Sequence, residues 1–172
     1  MVFLHQSPGV PDRDETTDTV LFRRTLSHFC TGVVVVTALD DGDPVGMTCQ
    51  SFSSLSLDPP LVMFSPAHSS TTWPRIRRAG FFAVNILAAD QERICRAFAI
   101  SGPDKFTSVR WHPGLTGAPL LDGVLACIEC RLESVVVGGD HDIVIGAPVA
   151  MVEHQNVDPL LFFRSRYGTF AR

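Results

Sequence analysis

The feature that most limits the fold of this chain is a succession of short apolar runs rich in β-branched residues, each bounded by turn chemistry. Val33 to Leu39 (VVVVTAL) is followed by DDGDP at Asp40 to Pro44, and Val45 opens another run, so the pair reads as a hairpin. Leu61 to Ser65, Phe81 to Leu87, Val124 to Val137, Ile143 to Val152 and Leu160 to Arg164 repeat the pattern. Helical periodicity is confined to Val20 to Cys30, where Phe22, Leu26 and Phe29 form a stripe and Gly32 supplies the expected stop, and to Ser70–Arg78 and Asp90–Ala99. Seven or so strands with few helices argue against alternating βαβ units. They predict a mainly β fold, an antiparallel barrel whose closure removes exposed edges.

Composition sets further bounds. With 172 residues, 45% of them hydrophobic, the chain can build one core, and no internal repeat or second domain is evident. Met1 to Thr17 mixes Pro, Gly, Asp and Arg without periodicity and reads as a mobile tail; residues 18–172 form the domain. Fourteen Lys and Arg against 18 Asp and Glu give a net charge of −4, with the basic residues scattered. That distribution excludes the footprint of a nucleic-acid partner. The longest apolar runs fall far short of the ~20 residues that span a bilayer, so no membrane segment is expected and the chain reads as cytoplasmic. Cys30, Cys49, Cys95, Cys127 and Cys130 are odd in number and widely spaced, which favours free thiols. Cys127 and Cys130 form a lone CxxC; on a strand such residues face opposite ways, and no second pair completes a metal site. The stretch Ser101 to Gly123, rich in Gly and Pro, is long for a connection and is expected to cover a site.

Two hydroxyl-rich clusters bracket the run at Leu61–Ser65. TCQSFSS (Thr48 to Ser54) precedes it and SPAHSSTTW (Ser65 to Trp73) follows. Hydroxyls and backbone N–H groups can hold a phosphate without a fixed cation, notably where Ser69–Thr72 open a helix; the same residue types also serve as N-caps and turns. Two such clusters around one strand favour a binding site. Neither a P-loop nor GxGxxG is present, so an ordinary nucleotide fold is excluded. A third constellation, Asp140, His141 and Asp142 in GGDHDIVIG, stands at a strand entrance, either as a tight turn or as part of a site, and lacks a third ligand suited to a metal.

These segments, together with FRRTLSHFCTGVVVVTA, FFAVNIL, DKF and PLLFFRSRYGTF, closely resemble the flavin reductase components of two-component flavin-dependent monooxygenases, over nearly all of Leu21 to Phe170. The resemblance implies a split β-barrel that dimerises, reduces exchangeable FMN or FAD with NADH or NADPH, and passes reduced flavin to a separate monooxygenase. By position, Thr48, Cys49, Gln50 and Ser51 match the family's segment along the flavin ring and ribityl chain, with Ser53 close by. Ser65, Ser70 and Thr72 match a second flavin segment that reaches toward phosphate, and Phe106 matches an aromatic near the flavin. His68 stands where many relatives carry lysine, leaving FMN and FAD both open. His141 matches the histidine beside the nicotinamide and is the expected catalytic residue, with Tyr167 and Gly168 on the same side. No arginine cluster is prepared for a 2′-phosphate, which favours NADH over NADPH. An FMN-retaining oxidase of the same barrel type and a non-catalytic flavin-binding module are the alternatives; the GDH segment argues against both.

Overall fold

In Val33–Val36 successive side chains point in opposite directions, and every one of them is buried. Val34 and Val36 join one core with Phe64, Phe82, Val84 and Val144, while Val33 and Val35 join another with Phe98, Leu121 and Val124. The strand is therefore covered on both faces, which is why its sequence is an unbroken apolar run and not an alternating one.

The computed structural model describes residues 18–102, 104–154 and 157–170; the expected tail at Met1–Thr17 lies outside the described residues. Its elements are α1 (Thr19–Leu26), β1 (Thr31–Gly32), β2 (Val34–Asp40), β3 (Asp43–Cys49), β4 (Ser53–Leu57), β5 (Pro60–Phe64), α2 (Trp73–Ala79), β6 (Phe81–Ile86) and α3 (Glu92–Ala99). They continue with β7 (Trp111–Pro113), β8 (Pro119–Leu121), β9 (Ala126–Gly138), β10 (His141–Glu153), β11 (Leu161–Phe163) and β12 (Arg166–Gly168). The main sheet has the order β3-β2-β6-β9-β10-β5-β4, flanked by the small sheets β1-β11-β12 and β7-β8. All these pairings are antiparallel. The two 13-residue strands β9 and β10 slip register at Ile145/Gly146 and Pro148/Ala150. Such bulges bend a long ribbon and tolerate the proline within it.

Several elements differ from the sequence expectation. The first helix stops at Leu26, and Gly32 pairs in β1 with Leu161 of β11 instead of ending a helix. The second helix begins at Trp73, three residues later than expected, so Ser70–Thr72 lie ahead of it. The serine-rich Ser53–Leu57 is itself a strand, at the edge of the main sheet. The stretch Ser101–Gly123 contains the β7–β8 hairpin, whose Leu120 and Leu121 are buried in the second core. Cys127 and Cys130 do point to opposite cores, and burial pushes their thiols up to about 11 and about 12.

Polar side chains tie these layers together. Asn85 is fully buried; its amide donates to Val35 O and Thr37 Oγ1, and its oxygen accepts from Leu121 N–H, which fixes β8 on β2 and β6. At the end of β2, Asp40 accepts from Arg78 and Arg75 of α2, and these two partners hold its carboxyl below the usual range despite the burial that opposes them. Gly46 of β3 has no room for a side chain, because a Cβ there would lie 2.6 Å from the ring of Phe98 in α3.

Glu129 of β9 is only 4% exposed and accepts from Leu115 N–H, Thr116 N–H and Thr116 Oγ1 at 2.9, 2.7 and 2.6 Å, fastening the β7–β8 turn. Burial raises its pKa, but the hydrogen bonds outweigh that and leave it below the ordinary 4.5. Its stabilising effect is therefore complete above about 4.5 and lost as pH falls through the lowered folded-state value. Glu129→Ala, which strands two backbone donors, is expected to cost about 2 kcal/mol in denaturant unfolding. Glu129→Gln should lose less melting temperature than the native chain when the pH is lowered from neutral to about 3.5.

Candidate functional site

The hydroxyl-rich sequence SFSSLSLDPPLVMFSP folds as the hairpin β4–β5, turned at a cis Asp58–Pro59 peptide. Its two flanks are joined directly. Ser51 Oγ accepts Ser65 N–H at 2.8 Å and donates to Ser65 O at 3.2 Å, while Cys49 Sγ lies 3.1 Å from the same hydroxyl. The segments after β3 and after β5 therefore run side by side. Ser70 Oγ accepts Trp73 N–H at 3.2 Å and lies 3.9 Å from Met47 Sδ. Thr48 donates to Cys95 O at 2.6 Å. Both hydroxyls thus have partners within the chain.

Three cavities collect most of the other expected residues. The first, about 470 Å³, is lined by Gln50, Ser51 and Ser53 together with Cys30 and Thr31. Thr31 Oγ1 is buried and has no hydrogen-bond partner among the described residues. An orphaned hydroxyl beside further polar side chains suits a ligand with a polar edge, as a flavin has. The second cavity, about 750 Å³, shares Cys30 with the first and is lined by Tyr167 and Gly168 with Arg164 and Arg166. Tyr167 is set from behind: its hydroxyl lies 3.2 Å from Cys95 Sγ, its ring packs on Phe162 at 5.1 Å, and Arg96 stands 4.8 Å over it. Burial, then the Cys95 contact, push its pKa up to about 12, so it stays a neutral phenol. Arg164 and Ser165 both have positive φ, the conformation of a two-residue hairpin turn between β11 and β12. The third cavity, about 310 Å³, is lined by Thr72 and Phe106 with Thr71, Arg75 and Lys105.

His141 lines none of these three; it begins β10, directly after a turn in which Gly139 takes φ +74°. It pairs across a bridge with Ala67, which places it beside the second hydroxyl segment. Its Nδ1 is 2.7 Å from Asp140 Oδ1, and its side chain is 44% exposed. The carboxylate holds the ring proton on Nδ1 and leaves Nε2 for a ligand. Behind it, Asp142 is 7% exposed and accepts Trp73 Nε1–H at 2.7 Å and His68 Nε2–H at 2.9 Å. The Trp73 bond first, and then His68, hold its carboxyl below the usual range against the effect of burial. His68 N–H donates to Asp140 O and Asp142 N–H to Pro66 O, so turn and segment interlock.

Thr31, Lys105, Arg164 and Arg166 were not singled out from the sequence. All four lie within the quoted segments FRRTLSHFCTGVVVVTA, DKF and PLLFFRSRYGTF, which is the one signal that could have found them. The interlock makes a specific expectation: Asp142→Ala strands the Trp73 indole N–H, so the Trp emission maximum should move and the melting temperature should fall. Adding Trp73→Phe to Asp142→Ala, which removes the donor as well, should cost less than the two single losses summed.

The family model described as "Flavin reductase like domain" matches residues 26–171. The reductase subunit HsaB of a flavin-dependent monooxygenase from Rhodococcus jostii (strain RHA1) is 47% identical over 153 residues, covering 89% of this chain and 78% of that protein. The FMN reductase (NADH) SmoA of Agrobacterium fabrum (strain C58 / ATCC 33970) is 42% identical over 151 residues, covering 88% and 86%. Among solved structures, the Streptomyces globisporus C-1027 NADH:FAD oxidoreductase SgcE6, in complex with NAD and FAD fragments, superposes with a TM-score of 0.85 at 38% identity, covering 90% of this chain and 93% of that one. With a family model matched across nearly the whole barrel and relatives this similar, the chain belongs to the flavin reductase family.

Proposed function

We propose that this chain is the reductase component of a two-component system: it reduces free FMN or FAD with NADH and supplies the reduced flavin to a partner monooxygenase. The observation that carries the reading is the family match over residues 26–171, joined to relatives whose names describe NADH-dependent flavin reduction and a monooxygenase reductase subunit. Flavin and nicotinamide supply the hydride chemistry, and the chain supplies orientation. In this reading Gln50, Ser51 and Ser53 present hydrogen-bonding groups to the flavin ring, with the orphaned Thr31 hydroxyl beside them. His141, its Nδ1 tied to Asp140, offers Nε2 to the nicotinamide carboxamide, and Tyr167 and Gly168 border the same side. The first cavity has no charged lining residue, a setting that holds a flavin without retaining it.

The expected homodimer has support in exposed apolar side chains. Leu57 is 89% exposed, Phe29 76% and Val137 73%, and no residue of α1 is buried within the chain. Among the described residues no helix is long and apolar enough to cross a membrane.

Dialysed protein should oxidise NADH only after free flavin is added, with the rate saturating in flavin concentration; tightly kept flavin without NADH turnover would reject the proposal. His141→Ala should raise KM for NADH by about tenfold while that for flavin changes less than about twofold, and equal changes would remove its nicotinamide role. Light scattering should give twice the 18.8 kDa chain mass, and an active monomer would count against the dimer.

A further inference from the structure

One residue of α3 touches both of the segments expected to meet a cofactor. Cys95 is fully buried; its main-chain carbonyl accepts the Thr48 hydroxyl at 2.6 Å, and its thiol lies 3.2 Å from the Tyr167 hydroxyl. Thr48 belongs to the first hydroxyl cluster, and Tyr167 lines the cavity of about 750 Å³. The helix that carries Cys95 is pinned at its start, where the Gln91 side chain accepts Ala88 N–H at 3.0 Å and donates to Asp122 O at 2.9 Å. The thiol therefore projects from a fixed element.

Tyr167 needs such a support. It sits in β12, a three-residue strand at the edge of a small sheet, paired along its backbone with β11 alone. Its side chain must fix the rest. The ring packs on Phe162 at 5.1 Å, but Phe162 is its own register partner on β11 and moves with the hairpin. Arg96 stands 4.8 Å over the ring, turned by Glu92 at 2.7 Å, yet the arginine side chain is 64% exposed. Cys95 supplies the hydrogen bond to the buried body of the domain. A thiol meets both demands of that position: it is apolar enough for the core it shares with Ala83, Phe98 and Leu121, and it still offers a phenol a weak hydrogen-bonding group. Burial first, and then this contact, push the Tyr167 pKa up to about 12, so the group held here is the neutral phenol. With its hydroxyl turned to α3, Tyr167 leaves its ring for the cavity.

We propose that Cys95 is a positioning residue for the nicotinamide nucleotide: its thiol holds the Tyr167 ring at the wall of the second cavity, so that NADH meets a preset surface there. The inference rests on the flavin reductase reading above. Every substitution at position 95 keeps the carbonyl that Thr48 uses, so the flavin side serves as an internal control. The test is steady-state kinetics with NADH and FMN or FAD on the full chain, native and carrying Cys95→Ala, Cys95→Ser, Tyr167→Phe, or Cys95→Ala with Tyr167→Phe. Cys95→Ala should raise KM for NADH about fivefold and leave KM for flavin within about twofold, while Cys95→Ser, which restores a hydrogen-bonding group, should stay within about twofold of native in both. Tyr167→Phe should match Cys95→Ala, and the double variant should be no worse than either alone. Tyr167 is the only tyrosine of the chain, so an isotope-labelled tyrosine ring gives a single NMR signal. That signal should move when NADH is added to native protein, move in Cys95→Ala, and return toward its native place in Cys95→Ser. An unchanged KM for NADH in Cys95→Ala, whatever its melting temperature, would overturn the proposal. So would single effects that multiply in the double variant, or a ring signal blind to NADH. If Cys95→Ala does not fold, Tyr167→Phe decides, and an unchanged KM for NADH there has the same force. If native protein oxidises NADH with neither flavin, the flavin reductase reading itself falls; if it does so and the variants behave as native, only this inference falls.

Discussion

The whole arrangement depends on a sheet that is dry on both faces. β2, β6 and β9 send alternate residues into two separate cores, so Val34, Val84 and Cys130 pack on one side while Val35, Ala83 and Cys127 pack on the other. A slip of one residue would exchange the two sets and misfit both, so register is held from both faces at once. Every site segment hangs from this frame. The first hydroxyl cluster follows β3, the partner of β2; the second follows β5, the partner of β10; and His141 begins β10.

That frame explains what was legible in the sequence. Runs such as Val33–Leu39 and Phe81–Leu87 are buried on both sides, so their apolarity is continuous and their limits fall within a residue or two of the strands. The edge strand β4 was missed because Ser53–Leu57 is solvent-facing and has serine where central strands have valine. Pairing with β5 alone holds it, and composition gives no warning of that. The β7–β8 hairpin escaped for a related reason: three-residue strands rich in proline look like loop, and what keeps them is the distant acceptor on Glu129 and the amide of Asn85.

The site was legible in part. The clusters at Thr48–Ser54 and Ser65–Trp73 were recognisable as a pair, and the Ser51–Ser65 contact places them together. What sequence could not show is which partner within the chain each hydroxyl takes. Thr48, Ser51 and Ser70 look alike in one dimension, yet Thr48 donates to Cys95 O, Ser51 joins the two segments through Ser65, and Ser70 accepts Trp73 N–H. Direction is settled by the helices α2 and α3 packed behind the sheet, and their positions are tertiary facts. Lys105 is the same case reversed, since nothing near it in sequence shows that its ammonium ends beside Gly46 and Thr72.

A flavin that must leave after reduction sets a limit on how strongly its seat can hold it. Charge-assisted hydrogen bonds are about twice as strong as neutral ones, so placing them around the isoalloxazine would slow release as well as favour reduction. This chain segregates the two kinds. Around Ser51 and Thr31 the groups are neutral, and the pairs Asp140–His141 and Asp142–His68 satisfy one another first. Each of those carboxylates is thereby kept ionised and occupied, and each histidine ring is oriented by its carboxylate. In a reaction whose electronic work belongs to its two cofactors, that division leaves few ionisable groups in the cavity proposed for the ring.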